Sequence, residues 1–225
     1  ICTAPISKDA WHQAGVEFPG HTEYLAHRTG TTDFGLMLVQ DSWRVLHVSN
    51  HVSLRRAIEL VTRERVAMMI GLFDNALRGL GVAAPRIGVA GLNPHAGEGG
   101  MFGDEEQTAI EPAVAQARAA GIEAIGPIPP DTVFARSRAG EYDGALAMYH
   151  DQGHVAVKTL AFEPGSGGEW SAVRGVNVTV GLPIIRTSVD HGVAFDIAGR
   201  GVARPESFTE AILLAAQMAR YRSAT

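Results

Sequence analysis

Short apolar, β-branched stretches alternate along this chain with segments of helical periodicity, and the polar, glycine-rich segments fall just after the apolar ones. That alternation predicts an α/β layered fold and not a helical bundle or a sandwich. Phe34 to Val39 and Trp43 to Val48 flank Gln40-Asp41-Ser42 and predict a hairpin, while Ile87 to Ala90, Ala145 to Tyr149 and Val176 to Val180 predict buried strands. Val66, Met69, Ile70, Phe73 and Leu77 recur three and four residues apart, which predicts one helix from about Leu54 to Leu80 with Ser53 as its cap. A second helix, about Asp104 to Ala120, is expected to stop at Gly121. A third is expected from Ser207, where Ser207 and Glu210 form a capping-box pair. Ile1 to Pro5 has the pattern of a buried strand entering a loop, and such a strand needs partners, so a preceding N-terminal segment is expected.

The 225 residues are 46% hydrophobic and 19% charged, enough apolar material for one large domain or two small ones, with no linker composition marking a boundary. A formal charge of -5 with only two lysines, Lys8 and Lys158, argues against binding to nucleic acid, which relies on clustered basic groups. Any anion must therefore be held locally. The single cysteine, Cys2, excludes an intrachain disulfide and fits a reducing compartment. With no pattern of a signal peptide or a membrane span, a cytoplasmic protein is expected.

In open α/β sheets ligands bind beyond the carboxyl ends of the strands, and three histidines follow three expected strands there: His51, His95 and His150. Three neutral imidazoles could form one facial site for a divalent ion, or each could be an ordinary loop residue. The segment from Gly91 to Gly100 carries enough glycine for backbone to approach a ligand closely, and it matches no nucleotide-binding fingerprint. Tyr149-His150-Asp151-Gln152-Gly153-His154 concentrates two imidazoles, a carboxylate and an amide, with Asp151 suited to a helix start. Lys158 and Arg186 could neutralise a phosphate, although a surface ion pair would account for Arg186 equally well. Thr22, after Gly20 and His21, reads first as a helix cap.

Together, Gly20-His21-Thr22-Glu23, Asn93-Pro94-His95-Ala96-Gly97-Glu98, Tyr149-His150-Asp151-Gln152-Gly153 and Arg186-Thr187-Ser188-Val189-Asp190-His191-Gly192 resemble the 4-hydroxythreonine-4-phosphate dehydrogenase family, including its 4-phospho-threonate and erythronate relatives. The resemblance runs through nearly the whole chain. It implies an isocitrate/isopropylmalate dehydrogenase-like α/β/α layered sandwich, N-terminally truncated, because the family's Gly-Asp-Pro-Ala-Gly-Ile-Gly type segment has no counterpart. It further implies a homodimer with a shared active site. Residues 19–185 would form the inner, metal and substrate domain, with 1–18 and 186–225 the remainder of an outer, cofactor-side domain.

By the same resemblance, His51, His95 and His150 are the metal ligands, for zinc, cobalt, nickel or manganese. His21, Thr22, Lys158, Asn177 and Arg186 bind substrate and phosphate, and Lys158, Asp151 and Asp131 serve the chemistry. The superfamily's adenine-side loop falls on His191, Gly192, Ala194 and Asp196, for NAD or NADP. The implied reaction is oxidation of a secondary hydroxyl on a small phosphorylated hydroxy acid such as 4-phosphooxy-threonine, followed by decarboxylation, in pyridoxal phosphate biosynthesis. A 4-phospho-D-threonate, erythronate or cis-dihydrodiol dehydrogenase is the alternative. A reading of another class is a catalytically incompetent metal-binding dimerisation module. An insertion, Glu163 to Ser171, stands between Lys158 and Asn177 where relatives are shorter.

Overall fold

The computed structural model describes residues 1–161 and 175–222, except the side chains of 160 and 161. The insertion from Glu163 to Ser171 lies outside the described residues. The strands are β1 (Cys2–Thr3), β2 (Gly35–Gln40), β3 (Trp43–His47), β4 (Arg86–Ala90), β5 (Glu123–Ile128), β6 (Gly144–Ala147), β7 (Val176–Val180) and β8 (Arg186–Val189). They form one sheet in the order β1-β8-β7-β2-β3-β6-β4-β5. β2 and β3 make the expected hairpin, with Asp41 taking the left-handed turn position at φ 53°. β3, β6, β4 and β5 are mutually parallel neighbours, so their carboxyl ends share one edge of the sheet. β7 and β8 pair antiparallel across the expected division at residue 185, and β1 joins β8 in parallel as an edge strand.

The helices are α1 (Lys8–Gln13), α2 (His21–Thr29), α3 (Leu54–Glu59), α4 (Arg63–Gly79), α5 (Glu111–Ala119), α6 (Pro130–Arg138), α7 (His150–Ala161) and α8 (Glu206–Arg222). α4 packs against α5 and α8 on one face, around Met37, Leu46, Met69, Ile70, Phe73 and Leu77. α6 and α7 cover the other face over β2, β3, β4 and β6, around Leu38, Val45, Phe134 and Ala145. Strand alternation sends one set of side chains to each layer, which makes the α/β/α sandwich. No helix among the described residues is long and apolar enough to cross a membrane.

Three helix expectations change. The helix expected from Leu54 to Leu80 is two, because Thr62 is extended and its hydroxyl accepts from Arg65 N at 3.3 Å, capping a new start. The helix expected from Asp104 opens with a π-helical turn, Glu106–Ile110, ahead of α5 and its Pro112, and it does stop at Gly121, at φ 83°. The third begins at Glu206, and the Ser207 hydroxyl donates to the Gly175 carbonyl at 2.9 Å instead of capping.

Gly144 in β6 exists to admit Phe73: a Cβ there would fall 2.3 Å from the Phe73 Cζ. Phe73 is fully buried at the junction of α4 and the sheet. Phe73→Ala is therefore expected to lower unfolding free energy by about 3–5 kcal/mol, read from urea denaturation.

Candidate active site

A cleft of about 360 Å³ opens against β2, β7 and β8, and His21, Thr22, His51, Asn177 and Arg186 all line it. Arg186 is 6% exposed, and burial pushes its pKa down from the ordinary arginine value. Its guanidinium donates to Thr179 Oγ1 at 3.1 Å and Thr3 Oγ1 at 2.8 Å and lies 3.5 Å from Thr22 Oγ1, while its Nε has no protein partner. Among the described residues it forms no ion pair with a carboxylate, so the surface-ion-pair reading does not apply. A buried cation bonded to neutral hydroxyls, with the Glu23 carboxylate acting on it only at longer range, is poised for an anion.

Thr22 is not the cap: α2 starts at His21 after Gly20, so Thr22 lies inside the first turn with its hydroxyl 3.4 Å from that of Thr179. His21 is held below the usual imidazole range, first by burial and then by the Arg186 charge. Asn50 Oδ1 and Asn177 Oδ1, both lining the cleft, are buried without protein partners. Lys158 sits 3.6 Å from Asp190, whose carboxylate also accepts from Asn177 Nδ2 at 3.3 Å. Burial raises the Asp190 pKa, against the pull of Lys158. Asp190 stands in a motif that carries the resemblance, yet its role becomes visible only once Lys158 is folded against it.

Four imidazoles follow one another beside the cleft. Ring centroids are 4.7 Å apart for His47 and His154, 3.7 Å for His154 and His150, and 5.2 Å for His150 and His51. The fully buried His47 donates from Nδ1 to the Leu36 carbonyl at 3.1 Å, and burial, then the neighbouring His154, pushes its pKa down to about 3. His154 donates from Nδ1 to the His150 carbonyl, and burial, then His150, lowers it to about 4. His51 is lowered too, by desolvation and then by His150. His150 donates from Nδ1 to Asp151 Oδ1 at 2.7 Å, which holds Asp151 below the usual carboxylate range and leaves Nε2 of the ring free to ligate. A carboxylate-oriented imidazole beside a second, neutral one fits two positions of a divalent-ion site.

His95 is not in that cluster. It follows β4 on the same sheet edge and lies near Phe102, with ring centroids 6.3 Å apart. Among the described residues of one chain, no three His, Cys, Asp or Glu side chains gather closely enough to hold a metal. The loop that carries His95 runs through the left-handed region from His95 to Gly99, and His95, Ala96 and Glu98 bear the Cβ that region disfavours, at roughly 1–2 kcal/mol per residue. Asp131, exposed in the first turn of α6, is not among the residues lining the cleft.

His191 and Gly192 also border a second, adjoining cleft of about 680 Å³, lined by Ala194, Ile197, Gly199 and Arg204. Asp196 is not among its lining residues; its carbonyl accepts from Arg200 at 3.3 Å.

The family profile described as pyridoxal phosphate biosynthetic protein PdxA matches residues 1–215. The D-threonate 4-phosphate dehydrogenase of Salmonella typhimurium is 49% identical over 97% of this chain and 64% of its own length. The enzyme of that name from Cupriavidus necator is 50% identical over 99% of this chain and 64% of its own. A crystal structure of 4-hydroxythreonine-4-phosphate dehydrogenase from Klebsiella pneumoniae superposes with a TM-score of 0.84 at 50% identity, over 97% of this chain and 64% of that one. The chain thus spans just under two thirds of the length of these relatives.

The imidazole stack generates a pH dependence. Folded His47 and His154 take up protons only near pH 3 and 4, whereas unfolded imidazoles do so near 6.5. Between those limits the unfolded chain binds more protons, so stability is lost as pH falls. In chelator-treated protein the slope should approach about 1.4 kcal/mol per pH unit for a buried histidine such as His47. Urea midpoints measured between pH 7.5 and 5 should fall in the wild type, with a flatter fall in His47→Leu/His154→Leu.

Proposed function

The chain belongs to the family of pyridoxal phosphate biosynthetic protein PdxA, and from that membership we propose that it is an NAD-dependent, divalent-metal-dependent dehydrogenase acting on the secondary hydroxyl of a four-carbon hydroxy-acid phosphate. D-threonate 4-phosphate is the substrate that the names of the curated relatives favour; 4-phosphooxy-threonine, which would place the reaction in pyridoxal phosphate biosynthesis, is the second reading. The observation that carries the proposal is Arg186, a buried cation that lines the cleft and, among the described residues, forms no ion pair with a carboxylate. A phosphate suits that position better than an uncharged hydroxyl would.

In this reading Arg186, with the hydroxyls of Thr22 and Thr179 beside it, holds the phosphate, and His21 stays neutral so that it can donate or accept at the same anion. Asn177 offers its free carbonyl oxygen to substrate while its amide donates to Asp190. Lys158 passes a proton to Asp190, whose carboxylate burial makes easier to protonate, and its freed amine takes the hydroxyl proton as the carbon is oxidised, while Asp151 fixes the plane of His150.

His51 and His150 of one copy, with His95 of a second, would hold a divalent ion that supplies Lewis acidity to the substrate oxygens. NAD, against His191, Gly192 and Ala194, would supply the hydride acceptor. Overall, secondary alcohol and NAD become ketone, NADH and a proton, and a β-keto carboxylate so formed can then lose carbon dioxide. A homodimer in which residues 19–185 carry the metal side completes the proposal.

The test is NADH formation by the protein with manganese, cobalt, nickel or zinc, on D-threonate 4-phosphate, 4-phosphooxy-threonine and unphosphorylated D-threonate. Metal-dependent turnover of a phosphorylated substrate is expected. Arg186→Ala should raise KM for it by about 10- to 100-fold, as loss of hydrogen bonds to a charged group implies. Equal turnover of the phosphorylated and unphosphorylated acids would contradict the phosphate assignment, and metal binding without any turnover would favour the dimerisation module.

A further inference from the structure

We infer that Glu106, fourteen residues from Leu92 in sequence, is the positioning residue that holds the left-handed loop presenting His95. Five consecutive residues, His95, Ala96, Gly97, Glu98 and Gly99, have φ between 43° and 80°. Such a run does not persist unless its surroundings hold it. Its backbone bonds include Ala96 N to the Asn93 carbonyl at 3.1 Å, Phe102 N to the Gly97 carbonyl at 3.2 Å and Met101 N to the Glu98 carbonyl at 3.4 Å.

A further restraint comes from a buried carboxylate. Glu106 is 2% exposed, and its Oε1 accepts from the backbone amides of Leu92 and Asn93 at 2.7 and 2.8 Å. Its Oε2 accepts from the Asn93 side-chain amide at 2.9 Å. The same Asn93 nitrogen donates to Glu105 at 2.6 Å, so both carboxylates tie down the residue two before His95.

The loop is shaped around this group. A Cβ at Gly97 would fall 2.7 Å from Glu106 Oε2, and one at Gly91 would fall 3.1 Å from Oε1 and 2.9 Å from the Ala96 Cα. Glycine at both places lets the chain close round the carboxylate from two sides. Glu106 itself opens the π-helical turn ahead of α5, so the wide turn and the tight loop meet at this side chain.

The inference rests on the reading of His95 as a metal ligand, and the experiment separates the two. Metal-stripped protein, wild type and variants, is titrated with cobalt(II) alone, followed by the visible absorption of imidazole-ligated cobalt. Hydrogen exchange of residues 91–102 and the urea midpoint are measured in parallel. Glu106→Ala should weaken cobalt binding by about 10- to 100-fold, the range for groups that orient a metal ligand, and should accelerate exchange in the loop alone. Glu106→Gln should fall between, because its carboxamide oxygen can serve the two backbone amides while its NH2 confronts that of Asn93. Adding Ala96→Gly to Glu106→Ala should restore part of the affinity, since glycine takes the left-handed conformation without a clashing Cβ.

Wild-type cobalt affinity and wild-type loop exchange in Glu106→Ala would overturn the inference. So would lost affinity that Ala96→Gly fails to restore, accompanied by faster exchange throughout the sheet. If Glu106→Ala does not fold, unchanged loop exchange in Glu106→Gln overturns it. Wild-type affinity in His95→Ala would instead remove His95 from the metal site, leaving the loop measurement to judge Glu106.

Discussion

The parallel register of β3, β6 and β4 constrains all that follows, because Leu46 lies opposite Leu146, which lies opposite Val89, and the three chains leave the sheet along one edge. His51, His150 and His95 each come within a few residues of those ends. Parallel pairing needs crossover connections through helices, and α7, entered straight from β6, brings its first residue to the edge where β3 has just ended. Its approach is unusually close: a Cβ on Gly153 would meet His47 Nε2 at 2.3 Å. That contact lets His154 stack on His47 and places His150 against His51, so a glycine inside a helix serves the geometry of the site.

The cleft beside this edge has the electrostatic character of a place built for an anion. Burying a guanidinium with no carboxylate in ion-pair contact is costly, and three hydroxyls, with Glu23 at longer range, offset that cost only in part. The neighbouring titratable groups are tuned in keeping with it: desolvation and the Arg186 charge keep His21 neutral, and burial draws His47 and His154 well below neutral pH. Lys158 is compensated separately by Asp190, so the two cations do not compete for one partner. Arg186 is thus left available to a ligand.

Much of the layered fold could be read from the chain because buried strands such as Ile87 to Ala90 and Val176 to Val180 are short, apolar and bounded by polar turns. β5 could not, since Gly126-Pro127 breaks its pattern and Pro129-Pro130 follows at once. The break between α3 and α4 was equally hidden, because Ala57, Val61 and Val66 continue the apolar face across it and Thr62 alone marks the new start. In the site, motif residues on one sheet edge were legible as a set, and the fold gathers His21, Thr22, His51, Asn177 and Arg186 into one cleft. It leaves Asp131 outside that lining and His95 apart from the other two imidazoles. Glu106 acts through backbone amides, which no side-chain pattern records, and Asp190 needed its spatial partner to be seen.

In the proposed site, His51 and His150 of one copy and His95 of another meet round a single cation. Anomalous diffraction at the zinc or cobalt edge, from crystals of the protein grown with that ion, tests it most directly. One peak per chain, bounded by those three imidazoles across a two-fold interface, is the predicted result. A peak elsewhere, or a dimer that directs His95 away from His51 and His150, would contradict it.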